Sequence, residues 1–89
     1  DWDDIGSLDA LARILEPDSD GNLVKGRHIG INTTNSVIYG KVATICTIDI
    51  DNMIVVGTKD EVLVCPRDRS QKVRMLVDKL KEQGHDDLL

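Results

Sequence analysis

Val42-Ala43-Thr44-Ile45-Cys46-Thr47-Ile48-Asp49-Ile50-Asp51-Asn52-Met53-Ile54-Val55-Val56 sets two short β-branched runs, at 42–47 and 53–56, on either side of an acidic turn at 49–52. Side chains branched at Cβ are stiff at χ1 and pack well on a pleated surface, so these runs predict strands. Working outward, apolar runs alternate with breakers through residues 23–65. The other predicted strands are Leu23–Lys25, His28–Asn32, Ser36–Tyr39 and Glu61–Cys65, with Gly26, Thr33-Thr34-Asn35, Gly40 and Gly57–Asp60 between them. A spacing of about eight residues suits a sandwich, a barrel or a β-solenoid. No hexapeptide repeat is regular enough to select the solenoid.

A helical pattern flanks the β body on each side. Leu8, Leu11, Ala12 and Leu15 fall at i, i+3, i+4 and i+7 behind Ser7, whose hydroxyl suits the N-cap, and Pro17 ends the stripe. Asp18-Ser19-Asp20-Gly21-Asn22 is a turn by composition. Near the other end, Val73, Leu76, Val77 and Leu80 form a second stripe. Asp68 is the expected N-cap there, with Gln71 as its capping-box partner and Gly84 as the residue past the helix end. The expected organisation is the end of a preceding domain and a linker helix over residues 1–17, an acidic turn that becomes helical at Ser7, then a β body over 18–66, a C-terminal helix over 67–84 and a frayed tail over 85–89.

Composition narrows the function classes. Eighty-nine residues make one small domain, and with no Phe, one Trp and one Tyr its core must be aliphatic. The formal charge is −5, and the basic residues Arg67, Arg69, Lys72, Arg74, Lys79 and Lys81 alternate with acids, as on a solvated helix face. A nucleic-acid surface needs a basic stripe, so no nucleic-acid partner is expected. No apolar run is long enough to span a membrane, and none reads as a signal peptide. Cys46 and Cys65, each inside an apolar run, read as buried reduced thiols of a cytoplasmic protein.

Residues that carry chemistry elsewhere form no complete catalytic constellation. Asp1, Asp3 and Asp4 cluster beside Trp2, where carboxylates can hold Mg²⁺ or simply favour the positive end of a following helix. Glu16–Gly21 starts like an EF-hand loop, but Arg27 stands where the twelfth ligand should be Glu, so it reads as a solvated turn. Asp49 and Asp51 are expected to share one face of a strand without a third ligand. Asn32-Thr33-Thr34 matches a glycosylation sequon in a chain with no sign of secretion. His28 and His85 are far apart and lack a nucleophile partner.

Five ordered blocks resemble one family. These are Trp2-Asp3-Asp4-Ile5-Gly6-Ser7, then Gly21-Asn22-Leu23-Val24-Lys25-Gly26, then Asn35-Ser36-Val37-Ile38-Tyr39, then Ile54-Val55-Val56-Gly57-Thr58-Lys59-Asp60-Glu61-Val62-Leu63-Val64, and last Asp68-Arg69-Ser70-Gln71-Lys72-Val73. Together they are similar to the C-terminal part of the mannose-1-phosphate guanylyltransferases, which belong to the sugar-phosphate nucleotidyltransferases. Leu8 stands where that family usually has Trp, and Gly57 where it often has Asp.

The resemblance implies a short left-handed β-helix-like body flanked by an N-terminal and a C-terminal α-helix. It implies a structural and oligomerisation role in an enzyme that makes GDP-mannose and pyrophosphate from mannose 1-phosphate and GTP. The nucleotide-binding domain, with its Gly-rich loop, would be a further part of that enzyme and the partner of this one, within a homodimer. Asp4 would bind Mg²⁺ in the intact enzyme, while the 89 residues alone would be inactive and metal-free. The rival expectations are a free-standing β-rich protein-interaction module, or the same domain of a nucleotidyltransferase for another sugar.

Overall fold

The computed structural model describes residues 12–88, of which 12–14 are helical. Six strands follow: β1 (Leu23–Lys25), β2 (His28–Thr34), β3 (Val37–Gly40), β4 (Ile45–Asp51), β5 (Met53–Gly57) and β6 (Val62–Pro66). A 3-10 helix (Arg67–Lys72) leads into α1 (Val73–Glu82), and a single 3-10 turn (Asp86–Leu88) ends the described chain. The tail expected to fray therefore carries a turn of its own.

The strands form two sheets. Four are ordered β1-β3-β5-β6, and β2 pairs with β4 alone. β1, β3 and β5 stack parallel with Leu23, Val37 and Ile54 in register, and β2 and β4 stack parallel with His28 opposite Ile45. Successive strands thus alternate between two faces of a coil, which is a β-helix and neither a sandwich nor a barrel. β6 breaks the pattern by folding back antiparallel on β5, Val55 opposite Val64.

The larger sheet is the middle of three layers. Leu23, Val37, Ile54, Val56 and Leu63 point to one side and pack with Val73 and Val77 of α1, and Ala12 and Leu15 join them. Ile38 and Val55 point the other way, into the coil, and meet Ile45 and Ile50 of the small sheet. Two-sided burial explains why β3 and β5 read as continuous apolar runs and not as alternating ones. The expectation for β4 is corrected: residues 42–44 lie in the bend before the strand, which starts at Ile45 and continues to Asp51. Ile48 and Ile50 keep the backbone extended, while Asp49 takes φ 54, a left-handed kink within the strand.

The C-terminal helix also departs from its expected start. Pro66 occupies the N-cap of the 3-10 helix and Lys72 that of α1, neither with a side-chain cap, so Asp68 lies in the first turn. The Arg67 N–H already donates to Asn52 O at 2.8 Å, so the chain enters the helix tied to the β body and not through a capping box. The end is as expected. His85 N–H donates to Leu80 O and Gly84 N–H to Lys81 O, a Schellman arrangement with Gly84 at φ 77.

Candidate functional site

The most organised polar structure lies at the corner where each coil enters the larger sheet. Gly21, Asn35 and Asn52 occupy equivalent places on successive coils, with φ 79, 52 and 56. Left-handed backbone is accessible to Gly and tolerated by Asn, which explains these residue types. A Cβ on Gly21 would lie 2.5 Å from Asn35 Oδ1, so the first corner also lacks room for a side chain.

The next residue along forms a ladder running along the coil axis. The buried Asn22 accepts from Ser36 N–H through Oδ1 at 2.9 Å and donates Nδ2 to Thr33 O at 2.7 Å. Ser36 Oγ in turn donates to Thr34 O at 2.9 Å and accepts from Met53 N–H at 3.1 Å. Asn22 and Ser36 are 14 residues apart, and Ser36 and Met53 are 17 apart. The ladder therefore keeps coils of unequal length in register. It went unseen in the sequence, although Gly21-Asn22, Asn35-Ser36 and Asn52-Met53 each open a run closed by Gly26, Gly40 or Gly57.

Asp51 serves this corner, whereas Asp49 lies three residues before Asn52, at the left-handed kink within β4. Asp51 Oδ1 accepts from Thr34 Oγ1 at 2.6 Å and from Asn35 Nδ2 at 3.0 Å. The Thr34 hydroxyl, then the Asn35 amide, hold its carboxyl below the ordinary value. Asp49 Oδ1 accepts from Asn32 Nδ2 at 2.9 Å, with Asn32 also left-handed at φ 51. The turn at 18–22 is held by Asp18 Oδ1, which accepts from Asp20 N–H and Asn22 N–H at 2.9 Å each. It is an Asx turn.

Facing into the coil, His28 Nε2 lies 2.8 Å from Thr47 Oγ1, which lies 2.6 Å from Thr33 Oγ1. The outer side of the same small sheet carries Ile29, Ile31, Cys46 and Ile48, with Ile31 65% and Ile48 67% exposed. Ile29 stands opposite Cys46 and Ile31 opposite Ile48. Polarity is thus reversed relative to a free half-buried strand, which turns its polar residues outward. Cys46 is exposed on this face, which corrects the expectation that it is buried. Cys65 is half-buried against the helix side of the larger sheet, where burial pushes its thiol up. The two thiols lie on different sheets and are free.

A groove of about 320 Å³ opens between the β5–β6 turn and α1, lined by Val62, Leu63, Leu76, Leu80 and Leu88 with Asp60 and Glu61 at its rim. His85 is exposed beyond α1, apart from His28. Among the described residues no group of three or more His, Cys, Asp or Glu side chains is placed to hold a metal ion. No helix among them is long and apolar enough to cross a membrane. Asp1, Asp3 and Asp4, the carboxylates considered for Mg²⁺, lie outside the described residues, as does the Ser7 cap.

Comparison with known proteins agrees with this geometry. The chain is 34% identical over 83 residues to the alginate biosynthesis protein AlgA of Pseudomonas putida, a match covering 93% of this chain and 17% of that protein. It is 38% identical over 82 residues to a mannose-1-phosphate guanylyltransferase of Escherichia coli, covering 92% and 17% respectively. The chain therefore spans about a sixth of the length of these curated relatives. A crystal structure from Thermus thermophilus, described as a mannose-1-phosphate geranyltransferase, superposes with a TM-score of 0.74 at 34% identity, over 88% of this chain and 24% of that one. The MannoseP isomerase/GMP-like beta-helix domain model matches residues 26–80, more than half of the chain. That span takes in the coil from the Gly26 corner through β6 and most of α1, and the chain belongs to this β-helix domain family.

Proposed function

We propose that this chain is the C-terminal structural and oligomerisation domain of a mannose-1-phosphate guanylyltransferase acting in the cytoplasm. The observation that carries the reading is the pairing of a β-helix with 34–38% identity to proteins of that name or of alginate biosynthesis. In the intact enzyme, mannose 1-phosphate attacks the α-phosphorus of GTP and pyrophosphate leaves. A separate nucleotide-binding domain, the main partner of this one, positions the reactants and offsets their charge with Mg²⁺. Asp4 is the residue of this chain assigned to that metal. The β-helix contributes rigidity, since hydrogen bonds along its corners fix every coil to the next. It also contributes surface, since the outer face of the small sheet is apolar.

Two assays test the reading. The purified 89 residues should form no GDP-mannose from GTP and mannose 1-phosphate, and turnover by them would overturn the non-catalytic role. The longer open reading frame containing this segment should form GDP-mannose with Mg²⁺, and an Asp4→Asn change there should lower kcat sharply. A longer product that makes a different nucleotide sugar would favour the same domain in another nucleotidyltransferase.

A further inference from the structure

The charges of the β body are sorted by corner. Between Gly21 and Ile48 the chain holds Lys25, Arg27 and Lys41 but no Asp or Glu, although its net charge is −5. Folding gathers these three cations where the first two coils leave the larger sheet. Lys25 stands opposite Tyr39 in the parallel register, so Arg27 and Lys41, two residues further along, follow on adjacent coils, about one strand spacing of 5 Å apart. Gly26, at φ 94, lies flat against Gly40 O, so the backbone between the cations is bare of side chains. Two main-chain bonds fix this corner, Lys41 N–H to Gly57 O and Ile45 N–H to Arg27 O, each 3.0 Å. Lys25 Nζ lies over the Tyr39 ring, 5.6 Å from its centre, which holds its charge over the second coil. The carboxylates lie elsewhere. Asp18 and Asp20 belong to the turn that enters β1, and Asp49 and Asp51 to the far end of β4. Asp60 and Glu61 follow Lys59 one coil further on, at the rim of the groove beside α1.

Donors of another kind lie beside these cations. The bend at 41–44 is exposed, and among the described residues no acceptor takes the N–H of Val42, Ala43 or Thr44. Side-chain cations and free backbone donors together suit a compact, multiply charged oxyanion, whose oxygens take charge-assisted bonds from both. We propose that this corner binds a di- or triphosphate anion, with Lys25, Arg27 and Lys41 neutralising its charge and the 42–44 amides holding its oxygens. Two linked phosphates match cations spread over two coils, where a lone carboxylate would engage only part of them. A nucleic acid draws its affinity from a longer row of phosphate contacts than three cations supply. Free pyrophosphate and the tail of a nucleoside triphosphate share the chemistry required. The site belongs to the β-helix itself, so the proposal goes beyond the structural role above and does not rest on it.

Amide NMR of the 89-residue chain, titrated with pyrophosphate at low ionic strength and without divalent cations, tests this. The amides of Gly26, Arg27, Val42, Ala43 and Thr44 should shift together and saturate. The affinity should fall several-fold as salt rises to about 0.15 M, where charges are screened within roughly 8 Å. Arg27→Gln and Lys41→Gln should each weaken binding roughly threefold, and more in combination, with the far-UV spectrum unchanged. Both side chains are exposed, and should one variant fail to fold, the other still reads the site. Lys72→Gln, outside the corner, should leave the affinity as it was. GTP should move the same amides and compete with pyrophosphate, while guanosine should not, which separates the phosphate tail from the nucleoside. Absence of a saturable shift at 42–44 overturns the proposal, as does a shift with GTP but not with pyrophosphate. A tetraglutamate peptide that moves these amides as readily overturns it too, and reassigns the corner to an acidic protein surface. A loss with Lys72→Gln equal to that with Lys41→Gln overturns it in favour of diffuse attraction. None of these results bears on whether the longer reading frame makes GDP-mannose, so the two readings fail separately.

Discussion

Replacing Asn22 with alanine is the most direct test of the corner ladder. The side chain is 3% exposed and satisfies two main-chain groups at once, Ser36 N–H at 2.9 Å and Thr33 O at 2.7 Å. Ser36 is itself fully buried, so water cannot readily replace the lost acceptor. Each buried group left without a partner costs about 1–3 kcal/mol. Two such groups put the loss at about 2–6 kcal/mol, a large fraction of the roughly 5–15 kcal/mol that holds a domain folded. Urea unfolding followed by circular dichroism should show a lower midpoint with an unchanged slope, and the melting temperature should fall by about 10 °C or more. Asn35→Ala is the comparison, because the Asn35 amide is exposed and bonds only Asp51. It should cost about 1 kcal/mol, chiefly for left-handed backbone at a non-glycine residue. If Asn22→Ala costs no more than Asn35→Ala, the buried ladder is not what joins the first coil to the second.

Gly26→Ala should leave little folded protein, because φ is 94 and the new methyl would run into Gly40 O, whereas Gly57→Ala meets only the Ile45 side chain, at 3.5 Å and beyond, and should shift stability by less than about 1 kcal/mol. Thermal melts of the two variants side by side decide the point. Ile54→Ala, at a site 1% exposed between α1 and the coil, should cost about 2–5 kcal/mol in the same denaturation assay. Asp51 binds its proton less readily folded than unfolded, so the stability it lends is present above the ordinary carboxylate pKa of 3.8 and is lost as pH falls through its lowered folded value. Asp51→Asn should therefore flatten the acid limb of the stability curve, and a carboxyl NMR titration of Asp51 with an ordinary midpoint would contradict the Thr34 and Asn35 hydrogen bonds.

Much of the fold was legible in the residues. β1 has its expected bounds, and β5 and β6 differ from expectation by a residue or so, because β-branched runs between glycines leave the backbone few alternatives. β4 was misplaced because Asp49 and Asn52 carry turn chemistry, and both do take left-handed backbone, but Asp49 does so inside a strand that its partner β2 holds extended. The coil itself was hidden by its uneven steps of 14 and 17 residues, which defeat any search for a fixed period. The blocks that carried the family resemblance now have a physical meaning. Gly21-Asn22 with Gly26, and Asn35-Ser36 with Tyr39, are corners and the first residues after them, where left-handed backbone and buried amide bonds allow few substitutes. The exposure of Cys46 was beyond reach, because an apolar run does not reveal which of its faces the rest of a protein covers.

Arg67 ties the end of the β body to two different coils. Its backbone N–H holds Asn52 O and its Nη1 donates to Asn35 O at 3.0 Å, one coil further back. Solenoids whose units touch only their neighbours peel one unit at a time, with stability close to a sum of nearest-neighbour terms. A rivet that skips a neighbour changes how such a molecule gives way under load. Tension applied through α1 reaches the second and third coils together, so they should release in one step and not in two. Cutting the guanidinium with Arg67→Met would restore a staircase in a force–extension trace.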